Sequence, residues 1–143
     1  MEELSKASKF QFKNYKIIKS HFELSGDNPS STINLKFEPK GTISKEKSCF
    51  KLQLGVFIED ENKNFLIEII IVADFYFDSD ISSEHLDQYF YINAPALLFP
   101  YVRAYISTLT TLSGINAINL PTLNLTALGG QLKKNTIESD ECN

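Results

Sequence analysis

Four stretches of the chain alternate apolar and polar residues with a period of two, which predicts strands with one buried and one wet face. Thr32–Glu38 is the clearest: Ile33, Leu35 and Phe37 fall on one side, and Asn34, Lys36 and Glu38 on the other. Phe50–Ile58 places Phe50, Leu52, Leu54, Val56 and Ile58 together, opposite Lys51, Gln53, Gly55 and Phe57. Phe65–Phe77 is apolar throughout on its odd side. Its even side mixes Leu66, Ile70, Val72 and Tyr76 with Glu68 and Asp74, more hydrophobe than a half-solvated strand needs. Phe10–Leu24 starts in one phase at Phe10 and Phe12 and changes phase at Ile17-Ile18, which predicts a bulge or bend. Turn formers at Ser25–Ser31 and a charged loop at Glu59–Asn64 separate the strands, and Pro39-Lys40-Gly41 bends or ends the second.

After the strands the period changes. Ser83–Tyr91 reads as a short helix capped by Ser82 or Ser83, with Leu86 and Phe90 one turn apart. Further on, Leu98, Val102, Tyr105, Leu109 and Leu112 recur at four, three, four and three, an apolar stripe close to the seam of a helix pair, widened by Ile106. Pro100 fits only the first turn at low cost, so this pattern predicts a helix from Leu98 or Phe99 to Leu112. Gly114 suits the left-handed residue after its end. Its other side, Arg103, Ser107, Thr108, Thr110 and Thr111, carries a single charge, so the helix is expected to be covered on more than one side. The stripe fits a core face or an oligomer seam; periodicity alone favours the core. Ile115–Leu128, with Pro121 inside it, reads as an extended crossing that ends in a turn or short helix. Gly129-Gly130 reads as a break and Gln131–Asn143 as a polar, flexible tail.

Together these give an α+β fold: a four-stranded antiparallel sheet followed by helices packed on one face, in one domain over residues 1–128, with 1–9 loose and 129–143 a tail. So few helices leave the even side of the fourth strand or part of the central helix uncovered, and an exposed apolar patch above ~400 Å² marks an interface. Self-association is therefore expected from the pattern itself.

Composition adds three points. The 143 residues include 11 Phe and 6 Tyr but no Trp, and the net charge is −4. No basic patch is present, which argues against nucleic acid or an anionic membrane as partner. The longest apolar run, Phe65–Phe77, is too short for a spanning helix, which needs roughly 20 residues. With no apolar stretch in Met1–Lys6 to act as a signal, a cytoplasmic protein without stable membrane insertion is expected. Cys49 and Cys142 lie far apart in no metal or redox spacing, so Cys49 is expected as a small buried hydrophobe and no disulfide framework is expected.

Candidate chemistry is sparse. His21 and His85 lie on different elements, and both read as surface histidines. No Cys-x-x-Cys, His-x-x-His, Gly-x-Ser-x-Gly or phosphate-cradling glycine loop occurs. Asp74, Asp78 and Asp80 have a spacing that calcium loops use, but the second carboxylate set is missing, so they read as solubilising charges beside an aggregation-prone strand. No catalytic residue, metal or cofactor is expected, and no enzyme.

The segment Leu97-Leu98-Phe99-Pro100-Tyr101-Val102-Arg103 resembles the helix opening of the SecB family of protein-export chaperones. Ile118–Leu128 is similar to a downstream stretch of the same family, and four strands followed by helices fit its order. The resemblance implies a homotetramer, a dimer of dimers, with central helices packed between pairs; Leu98, Val102, Tyr105, Leu109 and Leu112 would then line the subunit interface. It implies an ATP-independent holdase that binds unfolded secretory preproteins in aromatic grooves, here through Phe75, Tyr76, Phe77, Tyr91 and Phe99, and hands them to the SecA motor. Acidic and apolar groups that dock the motor map onto Glu23, Leu66 and Glu68. A further expected acid falls at about Lys19, and the family's acidic C-terminal region is cut short. Relatives of this fold instead serve as chaperones of an antitoxin in toxin–antitoxin pairs, and that reading stays open. An alternative of another class is a small-molecule-binding α+β module with a closed aromatic pocket.

Overall fold

The computed structural model describes residues 9–26, 30–121 and 123–140. The alternating stretches form strands β1 (Phe10–Leu24), β2 (Ile33–Ser44), β3 (Cys49–Asp60) and β4 (Phe65–Phe77). They pair antiparallel in the order β1-β4-β3-β2. A fifth strand, β5 (Thr136–Glu138), joins the far edge parallel to β2. The sheet is thus mixed and five-stranded, where alternation alone predicts four strands. Three residues are too few for a period to show.

β1 follows its change of phase. Its register against β4 shifts between Phe12 and Asn14 and again between Ile17 and Lys19. Each bulge adds one residue and flips the alternation. Phe12, Tyr15, Ile17, Phe22 and Leu24 therefore face the same side despite their mixed parity. Pro39 does not end β2, which runs on to Ser44. A proline is tolerated because, among the described residues, no strand pairs with β2 at that residue on its far side.

The turn between β3 and β4 is held by Asp60, 1% exposed. Its carboxylate accepts from the amides of Phe65 at 3.1 Å and Ser30 at 3.0 Å. One buried acid thus closes the hairpin and pins the connection that carries the chain from β1 to the opposite edge of the sheet.

One helical run follows: α1 (Ser83–Gln88), a single π turn (Tyr89–Asn93) and α2 (Ala94–Leu112). The Ser82 hydroxyl caps α1 by accepting from the His85 amide at 3.4 Å. α2 begins four residues before Leu98, with Pro95 in its first turn and Pro100 inside it. Pro100 is exposed, so water can reach the carbonyl that it leaves without a donor. The helix ends as expected, with Gly114 at φ +90°.

The core lies between the even face of β3, the odd face of β4 and their neighbours on one side and the buried side of α2, from Leu98 through Val102 and Ile106 to Thr110, on the other. Cys49 is buried, as expected, but on the side of the sheet that carries Tyr76, and its sulfur is disulfide-bonded, which was not expected. Cys142 lies outside the described residues, as do Met1–Ser8. Beyond Leu125 the chain is ordered differently from its composition. Gly129-Gly130 sits inside a helix, α3 (Thr126–Lys134), and β5 follows. Gly129 is buried against the π turn, where a Cβ would stand 3.0 Å from the Tyr91 carbonyl. The glycine serves close packing, not a turn.

Candidate functional site

α2 carries one charge, and its place is informative. The Arg103 guanidinium donates from Nε to the carbonyl of Leu120 and from Nη2 to that of Pro121, both at 3.1 Å. It also stacks 5.1 Å from the ring of Phe99. Two turns on, the Thr110 hydroxyl accepts from the Ile118 amide at 2.9 Å and donates to the Ile106 carbonyl at 2.8 Å. The polar side of α2 is therefore a rack that holds the extended segment 115–121. Nothing there needs to be charged beyond the one guanidinium that satisfies two carbonyls.

Two apolar grooves flank the opening of α2. One, about 660 Å³, lies toward β1 and is lined by Phe10, Phe12, Tyr89, Ala96 and Leu97. Phe10 stacks on Tyr89 at 5.1 Å, and Phe12 meets Tyr101 edge-on at 5.4 Å. The other, about 310 Å³, lies toward the connecting segment between Ile92, Phe99, Pro100, Leu123 and Leu125. The Phe99 ring meets Phe37 of β2 at 5.9 Å, so this groove adjoins the half-buried apolar face of β2. Leu97, Tyr101 and Leu112 remain exposed on α2, Tyr101 at 42% and Leu112 at 81%.

The sheet's outer face is the even side of β4 with its neighbours. Cross-strand pairing sets Glu23 beside Leu66 and His21 beside Glu68. Lys19 Nζ lies 2.8 Å from Glu68 Oε1, and His21 Nε2 lies 3.4 Å from Glu23 Oε2. Phe57 and Glu59 of β3 continue the same patch. Among the described residues, no group of three or more His, Cys, Asp or Glu side chains comes together as a metal site.

The model of the family of the preprotein translocase subunit SecB matches residues 10–135. The chain belongs to the SecB family. Among curated proteins no sequence matches. Solved structures share its fold, two of them as follows. One is the SecB-like chaperone Rv1957 of Mycobacterium tuberculosis in complex with a ChAD peptide from the HigA1 antitoxin Rv1956, 19% identical, TM-score 0.68, covering 80% of this chain and 88% of that one. The other is a protein of unknown function from Streptococcus agalactiae, 11% identical, TM-score 0.50, covering 82% and 100%.

Within this SecB fold the residues singled out for peptide binding separate. Phe75 and Phe77 lie on the buried side of β4, and Tyr91 and Phe99 are also buried. Phe99 alone lines one of the two grooves. Tyr76 faces the opposite side of the sheet and takes the ammonium of Lys13 over its ring at 5.7 Å. Glu23, Leu66 and Glu68 do come together. The stripe on α2 divides: Leu98 and Val102 are core, Tyr105 and Leu109 half-buried, and Leu112 open. The open side starts one residue off, through Leu97 and Tyr101. The groove residues Phe10, Phe12, Tyr89 and Leu97 were not singled out. The signal for Phe10 and Phe12 lies in their shared phase with Phe22, which holds because two bulges, not one, fall between them.

Proposed function

We propose that this SecB-family chain is an ATP-independent holdase that binds extended apolar segments of unfolded polypeptides in the two grooves beside the opening of α2. The observation that carries this is the pair of open, aromatic grooves on either side of one helix turn. They sit in a protein whose family is one of chaperones. Tyr and Phe rings offer wide contact at low cost in side-chain entropy, and no particular side chain is demanded of the client. We take the open residues Tyr101 and Leu112 of α2 as the face on which copies of the chain assemble, as a dimer or a dimer of dimers. The test is suppression of aggregation: a chemically unfolded client diluted into buffer without nucleotide should stay in solution at a near-stoichiometric ratio of chaperone.

Two kinds of client compete for this reading: secretory preproteins passed to SecA, and a single antitoxin. The Lys19–Glu68 ion pair favours the second. It neutralises the central acid of the patch that would receive the motor. The fold shared with an antitoxin chaperone supports that reading at least as well as export. Pull-down of SecA separates the two. Lys19→Glu is expected to strengthen any capture, and Glu68→Lys to abolish it.

A further inference from the structure

The edge of the sheet formed by β2 is only partly covered. β5 pairs with Gly41, Thr42 and Ile43. The Gly41 amide donates to the Asn135 carbonyl at 3.3 Å, and the Ser139 amide to the Ile43 carbonyl at 2.9 Å. A strand residue turns both its backbone groups to one side, and the sides alternate. Hence the odd residues of β2 face this edge. By that alternation Ile33, Leu35 and Phe37 also turn their N–H and C=O groups outward, and among the described residues no strand pairs with them there. Pro39, which has no N–H, stands where the covered and open stretches meet. Its carbonyl accepts from the Asn135 side chain at 3.0 Å.

β5 is lightly held. Ile137 is 64% exposed. The Lys45–Glu138 ion pair, 3.3 Å long, is exposed on both sides, and such pairs contribute little. α3, by contrast, is anchored through Leu132 and Gly129, both buried. With the Cys49 disulfide reduced, the strand can therefore leave while the helix stays. Gly41 provides for its approach: a Cβ there would lie 2.8 Å from Thr136 Oγ1 and 2.7 Å from the Phe50 ring. β5 also begins at Thr136, just past the last residue matched to the family.

We propose that β5 is a tethered competitor for the β2 edge, and that an extended client segment pairing along β2 displaces it. This rests on the holdase reading above. A strand tethered by so short a linker acts at a local concentration on the order of millimolar. Segments that pair weakly are turned away. Segments that alternate apolar and polar residues match the half-buried Ile33, Leu35 and Phe37 on one side and the exposed Asn34, Lys36 and Glu38 on the other, and they gain the whole edge.

The test uses two variants, Ile137→Pro in the full chain and a chain ending at Asn135. By the same alternation the Ile137 amide faces β2, so proline removes a ladder bond without touching the core. The probe is a fluorescein-labelled 12-residue peptide of alternating Val and Thr with lysine ends. The comparator is the same peptide with every second amide N-methylated. Binding is read by anisotropy with dithiothreitol present throughout, so that the redox state of Cys49 is constant, and circular dichroism shows that each variant is folded. Both variants are expected to bind the unmodified peptide about five- to ten-fold more tightly than wild type, the effect of one or two lost competing hydrogen bonds. The gain should vanish for the N-methylated peptide. Equal or weaker binding by the variants, or an equal gain for both peptides, overturns the proposal while leaving the holdase reading intact. Failure of wild type and variants alike to hold a long unfolded client sinks both.

Discussion

Arg103 shows how much a single side chain carries here. It ties the helix opening Leu97–Arg103 to the Leu120-Pro121 stretch, so the two segments that resemble one family are in physical contact. Replacing it with Met keeps the stem but orphans two carbonyls. Arg103→Met is expected to cost about 1–3 kcal/mol in urea denaturation and to speed amide exchange over residues 116–120; unchanged exchange there would show that the guanidinium is not the clasp. Tyr91 gives a pH signature. Burial raises its phenol pKa above the ordinary 10.0, outweighing the hydrogen bond with Thr136 that lowers it. A raised pKa means that folding favours the protonated phenol. Its contribution is complete below the ordinary value and is lost as pH climbs through the raised one. Tyr91→Phe should therefore lose less stability than wild type as the pH is raised above about 10. At this scale the candidate site was half legible. The alternation of β4 already places Phe75 and Phe77 with Ile67 and Ile71 on the buried side, so counting aromatics misled where parity did not.

At the scale of elements, strands were legible wherever one face is wet, because alternation records burial directly. The bulge at Ile17 was legible for the same reason, as a break in phase. The bulge near Lys13 was not, since Lys13 and Asn14 are both polar and hide the shift. α3 was missed because Gly-Gly is a poor helix former, each glycine costing about 1 kcal/mol against alanine. The two glycines differ in cause, and this predicts opposite signs. At Gly130 a Cβ meets nothing within 4 Å, so Gly130→Ala should stabilise by about 0.5–1 kcal/mol. At Gly129 a Cβ would press on the Tyr91 carbonyl and on Ile92 Cδ1, 3.0 and 3.3 Å away. Gly129→Ala should therefore destabilise by about 1 kcal/mol despite its better propensity. Thermal melts of the two variants, moving in the same direction, would contradict this account of α3.

At the scale of the whole molecule, one sheet presents two unlike faces. The inner one is packed beneath α2 with grooves at its margins. The outer one mixes Phe57, Leu66, Ile70 and Val72 with paired charges. The uncovered surface inferred from the pattern is present on α2, displaced by one residue from the heptad stripe because Leu98 and Val102 are spent on the core. Tyr101→Asp and Leu112→Asp should lower the mass found by light scattering at micromolar concentration, whereas Val102→Asp should unfold the chain. A mass unmoved by either of the first two would place self-association elsewhere. The central claim, that the grooves hold unfolded polypeptide, is tested most directly by diluting a chemically unfolded client into this protein without nucleotide and following light scattering. Suppression at a near-stoichiometric ratio, weakened by Leu97→Asp in the groove beside β1, is the predicted result; aggregation at the rate seen without the protein would contradict it.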